Sequence, residues 1–68
     1  MDITQVKRNL NKMVEYNGKS GIYKLTACVI RKNDEYFYQA ELLDTKHGNS
    51  VVIAKLEDVS ECKQWTNL

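Results

Sequence analysis

Ile22-Tyr23-Lys24-Leu25-Thr26-Ala27-Cys28-Val29-Ile30-Arg31 and, four residues further on, Tyr36-Phe37-Tyr38-Gln39-Ala40-Glu41-Leu42-Leu43 decide the fold of this chain. Both alternate. Successive side chains of a strand point to opposite faces, so Tyr23, Leu25, Ala27 and Val29 share one face while Lys24, Thr26, Cys28 and Ile30 share the other. In the second stretch Tyr36, Tyr38, Ala40 and Leu42 oppose Phe37, Gln39, Glu41 and Leu43. A four-residue hairpin loop at Lys32-Asn33-Asp34-Glu35 sets Arg31 against Tyr36, Val29 against Tyr38, Ala27 against Ala40 and Leu25 against Leu42. That register gathers the apolar set on one face, and a slip of one residue would turn it outward.

Downstream, Asp44-Thr45-Lys46-His47-Gly48-Asn49 reads as a second hairpin loop before the β-branched run Ser50-Val51-Val52-Ile53-Ala54. Opposing Leu42 to Val51 also opposes Ala40 to Ile53, which extends the buried face to a third strand. Lys55 to Val59 reads as a single helical turn leading to a short last strand, and Ser60 to Leu68 as a tail. Upstream, Met13 to Tyr16 is a short strand, and Asn17-Gly18 is a turn lengthened by Lys19-Ser20-Gly21. Asp2 can cap a helix over residues 3–10, whose stripe Ile3, Val6 and Leu10 needs a surface to dock on.

The expected fold is therefore mainly β (α+β), a single domain over residues 1–68: the N-terminal helix, then a small curved antiparallel meander over about residues 13–59. Curling such a sheet lets its inner face form a core, as in a half-open barrel. Val14-Glu15-Tyr16-Asn17-Gly18, Tyr23-Lys24-Leu25-Thr26-Ala27, Tyr38-Gln39-Ala40-Glu41-Leu42 and Ser50-Val51-Val52-Ile53 with Leu56-Glu57-Asp58-Val59 resemble small SH3-like barrel domains, many of them uncharacterised and encoded by phages or mobile elements. The proline-binding aromatic cluster and acidic loop of true SH3 domains have no counterpart here, so the resemblance implies no proline-peptide function.

The chain has 68 residues, a net charge of +1, 43% hydrophobic residues, two cysteines and one histidine. A domain of this size buries only about 60% of its unfolded surface, which leaves little room for a deep catalytic cleft. No apolar run reaches the roughly 18 residues of a membrane span, and the N-terminus lacks a signal-peptide pattern. Cys28 and Cys62 have neither CxxC spacing nor a disulfide framework around them. Reduced thiols, a cytoplasmic setting and no membrane are the expectation. Residues 1–32 hold seven Lys or Arg against two acids, and residues 33–68 hold three against seven. That polarity disfavours a general polyanion binder and can orient self-association.

Catalytic signatures are missing: there is no GxSxG, no HExxH and no phosphate-cradling glycine loop. His47, with Asp44 three residues before it, reads as a turn histidine rather than a metal ligand, since further ligands would have to come from Asp34, Glu35 or Cys28 at no recognised spacing. Asp34 and Glu35 suit a hairpin tip, Glu41 an outward position facing Thr26, and Cys28 a packing role. No enzyme activity, cofactor or metal is expected.

Two surfaces remain. Phe37 opposite Ile30, beside Lys24, Arg31 and Tyr36, could anchor a protein partner or stack a base, unless the helix covers Ile30, Phe37 and Val52 with Ile3, Val6 and Leu10. Tyr38 is expected in the core. Lys7, Arg8, Lys12, Lys19, Lys24 and Arg31 form a basic patch for phosphates if the helix docks near the first hairpin. Trp65 either tucks over an open barrel end or stands out as an anchor. The preferred function is a noncatalytic binding module for a protein or a second copy, using a strand edge or the Ile30/Phe37 surface. Nucleic-acid binding through the basic patch is the alternative.

Overall fold

In the computed structural model, which describes residues 1–62, the elements follow the expected order. They are α1 (Ile3–Asn9), β1 (Met13–Tyr16), β2 (Lys19–Asn33), β3 (Glu35–Asp44), β4 (Ser50–Lys55), a 3-10 turn (Leu56–Asp58) and β5 (Val59–Glu61). The five strands form one antiparallel, unclosed sheet in the order β4-β3-β2-β1-β5. No helix among the described residues is long and apolar enough to cross a membrane.

α1 begins as its sequence requires. The Asp2 carboxylate accepts from the Gln5 backbone N–H at 2.8 Å, and the Gln5 side-chain oxygen accepts from the Asp2 N–H at 2.9 Å. This reciprocal capping box satisfies two donors that the first helical turn leaves over. The helix stops at Asn9, one residue earlier than expected, and Leu10 stays exposed while Val6 enters the core. Asn17 and Gly18, at φ of 51° and 77°, form a two-residue turn, so β2 starts at Lys19 instead of after Gly21. Two consecutive left-handed residues match the twist of a tight hairpin, and Asn-Gly adopts them at the least steric cost.

The central register is corrected at one residue. Leu25 faces Leu42 as expected, but a β-bulge at Thr26 shifts everything beyond it: Ala27 faces Glu41, Cys28 faces Ala40, Val29 faces Gln39, Ile30 faces Tyr38, Arg31 faces Phe37 and Lys32 faces Tyr36. The expected loop at residues 32–35 shrinks to Asp34 alone, at φ 68°, between the paired Asn33 and Glu35. An extra residue in one strand inverts the inward and outward assignments downstream of it. Thr26 occupies the bulge with a local partner, its hydroxyl donating to Glu41, 3.0 Å from the carbonyl and 2.9 Å from the carboxylate. The β3–β4 pairing is also one residue from expectation: Leu42 faces Val52 rather than Val51, and Ala40 faces Ala54 rather than Ile53.

Burial follows the shifted register. The core is Val6, Val14, Leu25, Ala40, Leu42, Ala54 and Val59, with Tyr16, Tyr23, Cys28, Val52 and Leu56 packed around it. Tyr16 and Tyr23 meet edge to face, their centroids 5.1 Å apart. Ala27 and Val29, expected inside, lie on the outer face and are half-buried, whereas Cys28 takes the inward place. Glu61 ties β5 to α1, accepting from the Asn9 amide at 2.6 Å and pairing with Arg8 at 2.9 Å. The Met1 amino group donates to the carbonyls of Leu56 and Val59.

Candidate functional site: a projecting β-hairpin

β4 pairs with β3 only over Gln39–Asp44, and β1 pairs with β2 only as far as Lys24. Beyond Val29 and Gln39, among the described residues, β2 and β3 have only each other. The stretch from about Ile30 through Asp34 to Tyr38 is thus a two-stranded arm continuing past the body of the sheet. Four paired residues extend it by about 14 Å. A hairpin of two strands is marginal by itself, so this arm relies on continuity with the body strands below it.

Alternation along the observed register assigns its faces. Ile30, Lys32, Tyr36 and Tyr38 share one, on the same side as the core residues Cys28 and Ala40. Arg31, Phe37 and Gln39 share the other. The expected Ile30–Phe37 pair is therefore split across the arm, and Tyr36 and Tyr38 join Ile30. Tyr38, expected in the core, is exposed because the core ends at Ala40. Ile30 is 63% exposed, Tyr36 67%, Phe37 41% and Tyr38 43%, so α1 covers none of them. Val6 docks instead into the core with Val14, Leu25, Leu42 and Val59.

Local contacts stiffen the arm. The Lys32 ammonium sits 5.2 Å from the Tyr36 ring centroid, a cross-strand cation–π contact, and Arg31 Nε donates to the Gln39 side-chain oxygen. Lys32, expected in the hairpin loop, is set against Tyr36 only by a register with the bulge at Thr26, and Tyr38, expected in the core, is left outside because the core ends at Ala40. Lys24 does not belong to the cluster. It pairs with Met13 and Leu43, and seven residues of strand place it about 23 Å from Arg31.

The same distance divides the expected basic patch. Lys7 and Lys12 are exposed near α1 and Lys24 lies next to β1, but Arg8 is committed to Glu61 and Arg31 stands out on the arm. The Glu61 carboxyl is held below its ordinary value, first by the Asn9 amide and then by Arg8. A shallow hollow of about 550 Å³ is lined by Asn9, Asn11, Lys12, Met13 and Cys62.

Other candidate groups have local roles. Asp44 is buried at the start of the β3–β4 turn, where its carboxylate accepts from the Lys46 N–H and lies 2.9 Å from His47 Nδ1, which fastens the loop. Asp34 forms the hairpin tip, with Glu35 beside it. Among the described residues no group of three His, Cys, Asp or Glu side chains is gathered to hold a metal ion. Cys28 and Cys62 are free thiols, both half-buried. Trp65 lies outside the described residues. Comparison with known proteins finds no protein-family model, no curated protein and no solved structure that matches the chain.

Proposed function

We propose that this chain is a noncatalytic binding module that engages a partner protein through the arm built from Ile30–Tyr38. The observation that carries this reading is the exposure of Ile30, Tyr36, Phe37 and Tyr38 on a hairpin whose outer backbone edges have no described strand beside them. Aromatic side chains give large desolvated contact area for little lost rotamer freedom, and an open edge supplies backbone hydrogen bonds to an extended segment. The arm offers both in a few residues, with Arg31 and Lys32 available to set orientation. An antiparallel meander with a helical turn before its last strand supports the SH3-like likeness, and two cysteines without CxxC spacing favour a reducing, cytoplasmic setting.

The test compares immobilised wild-type protein with an Ile30→Ser/Phe37→Ser variant in a nuclease-treated lysate of the source organism. A protein retained by the wild type and lost by the variant is the expected result. Retention that survives the arm substitutions, disappears with nuclease and falls steeply with salt would replace this reading with nucleic-acid binding.

A further inference from the structure

The two edges of the sheet are finished differently. β5 is three residues long, its Glu61 is held by Gln5, Arg8 and Asn9, and the Val59 carbonyl accepts from the Met1 amine. That edge is short, charged and covered. β4 runs for six residues, Ser50-Val51-Val52-Ile53-Ala54-Lys55, pairs with β3 without a bulge, and carries one charge at its last position. Val51 and Ile53 are 60% and 42% exposed on its outer face, and no described strand lies on its far side. Bulges, prolines and mid-strand charges are the usual protection of an edge against pairing with another chain, and Ser50–Ala54 has none of them.

We infer that β4 pairs antiparallel with β4 of a second copy, forming a weak symmetric dimer about a two-fold axis at Val52. The strand is its own complement. Cross-strand partners point to the same face, so keeping both outer faces together requires residues of equal parity to pair. Centring on Val52 opposes Val51 of each copy to Ile53 of the other, two β-branched pairs of the kind that stabilise sheets. It also leaves Lys55 opposite Asn49, with the two lysines at opposite ends of the ribbon. Centring on Ile53 instead would press each Lys55 against Val51, so charge selects the first register. The joined outer faces then merge Leu43, Val51 and Ile53 of each copy into one apolar strip. Five paired residues cover less than the roughly 800 Å² per partner of a standard interface, and the association is correspondingly weak and concentration-dependent. The inference is independent of the arm reading.

Sedimentation equilibrium from about 10 µM to about 1 mM tests it. The wild-type mass should rise from 7.9 kDa toward twice that value. Two double variants share one change and differ only in the sign of the other. Val51→Glu/Ile53→Lys sets opposite charges across the axis and keeps the dimer. Val51→Lys/Ile53→Lys sets like charges there and weakens it at least about tenfold. In both, the new lysine faces Glu41 on the same chain's β3, and circular dichroism confirms that both are folded. A wild type that stays monomeric at the highest concentration, or two variants that associate equally, would overturn the inference. Loss of association in Tyr36→Ser with both β4 variants unaffected would move the dimer contact to the arm and overturn it as well.

Discussion

One continuous pair of strands, β2 and β3, runs through two unlike regions. In the body, Leu25 faces Leu42 and both are fully buried in one core cluster with Val6, Val14 and Val59. In the arm, Ile30 faces Tyr38 with the same backbone pairing and the same apolar character, yet both are exposed because no described element lies over them. The β2–β3 pairing is the same in the two places, but its flanks differ: Leu25 also bonds backbone to backbone with Asn11 and Lys12 and Leu42 lies beside Val52, whereas Ile30 and Tyr38 have neither a further described strand nor a cover. A side chain that is apolar and strand-forming contributes stability where a second layer covers it, and contact surface where none does.

The sharpest break of that comparison is in the body. Leu42→Ala removes a fully buried side chain from a core with seven buried apolar residues among those described and should destabilise the protein by about 2–5 kcal/mol, which denaturant titration measures. So small a domain has little reserve. A loss under about 1 kcal/mol would mean that the body is as loosely held as the arm and would erase the distinction.

A smaller effect lies where α1 is tied to β5. The Glu61 carboxyl has its folded-state value depressed below 4.5 by the Asn9 amide and Arg8, so its contribution is complete above 4.5 and drains away as pH falls through the depressed value. Thermal unfolding midpoints should therefore decline over that acidic interval, and in Glu61→Gln this part of the decline should vanish. An unchanged pH profile in the variant would show that packing of Val6, rather than the carboxylate, is what fastens the helix. Because the Glu61 side chain is half-buried and its partner Arg8 is exposed, the ion-pair part of the effect should shrink with added salt.

How far the fold was legible follows from which signals are local. The Asp2 cap, the Asn17-Gly18 turn, the helical turn before β5 and the strand identities each depend on a few adjacent residues and are found as expected, except that the turn ends at Gly18 without the added Lys19-Ser20-Gly21. Register is not local. Alternation from Ile22 to Arg31 is unbroken in the sequence, because Thr26 is as good a strand residue as its neighbours and the bulge it forms shows only in its hydrogen bond to Glu41. That one residue moved Ile30 to the face of Tyr36 and Tyr38 and away from Phe37, which keeps its expected face; Tyr38 is exposed for a different reason, the end of the core at Ala40. The candidate site was thus legible as a set of residues around Ile30, Arg31, Tyr36 and Phe37, but not as two faces of a projecting hairpin. The single basic patch failed for a related reason: sequence proximity says nothing of the length of β2, which carries Arg31 away from Lys24, or of Glu61 arriving beside Arg8 from the end of the sheet.

The smallest expected effect is the most informative about the arm. Tyr36→Ser alters a side chain that is 67% exposed, whose recorded contact in the chain is the Lys32 ammonium above its ring. An exposed cation–π pair contributes about 0.5–1 kcal/mol, and part of that acts on a hairpin whose fraying does not unfold the body. Global stability should therefore change by no more than about 0.5 kcal/mol, while hydrogen exchange of the arm amides speeds up and that of Leu25 and Leu42 does not. If the substitution instead lowered global stability as Leu42→Ala does, the aromatic side chains of the arm would belong to a covered surface, and their availability to a partner would be lost with it.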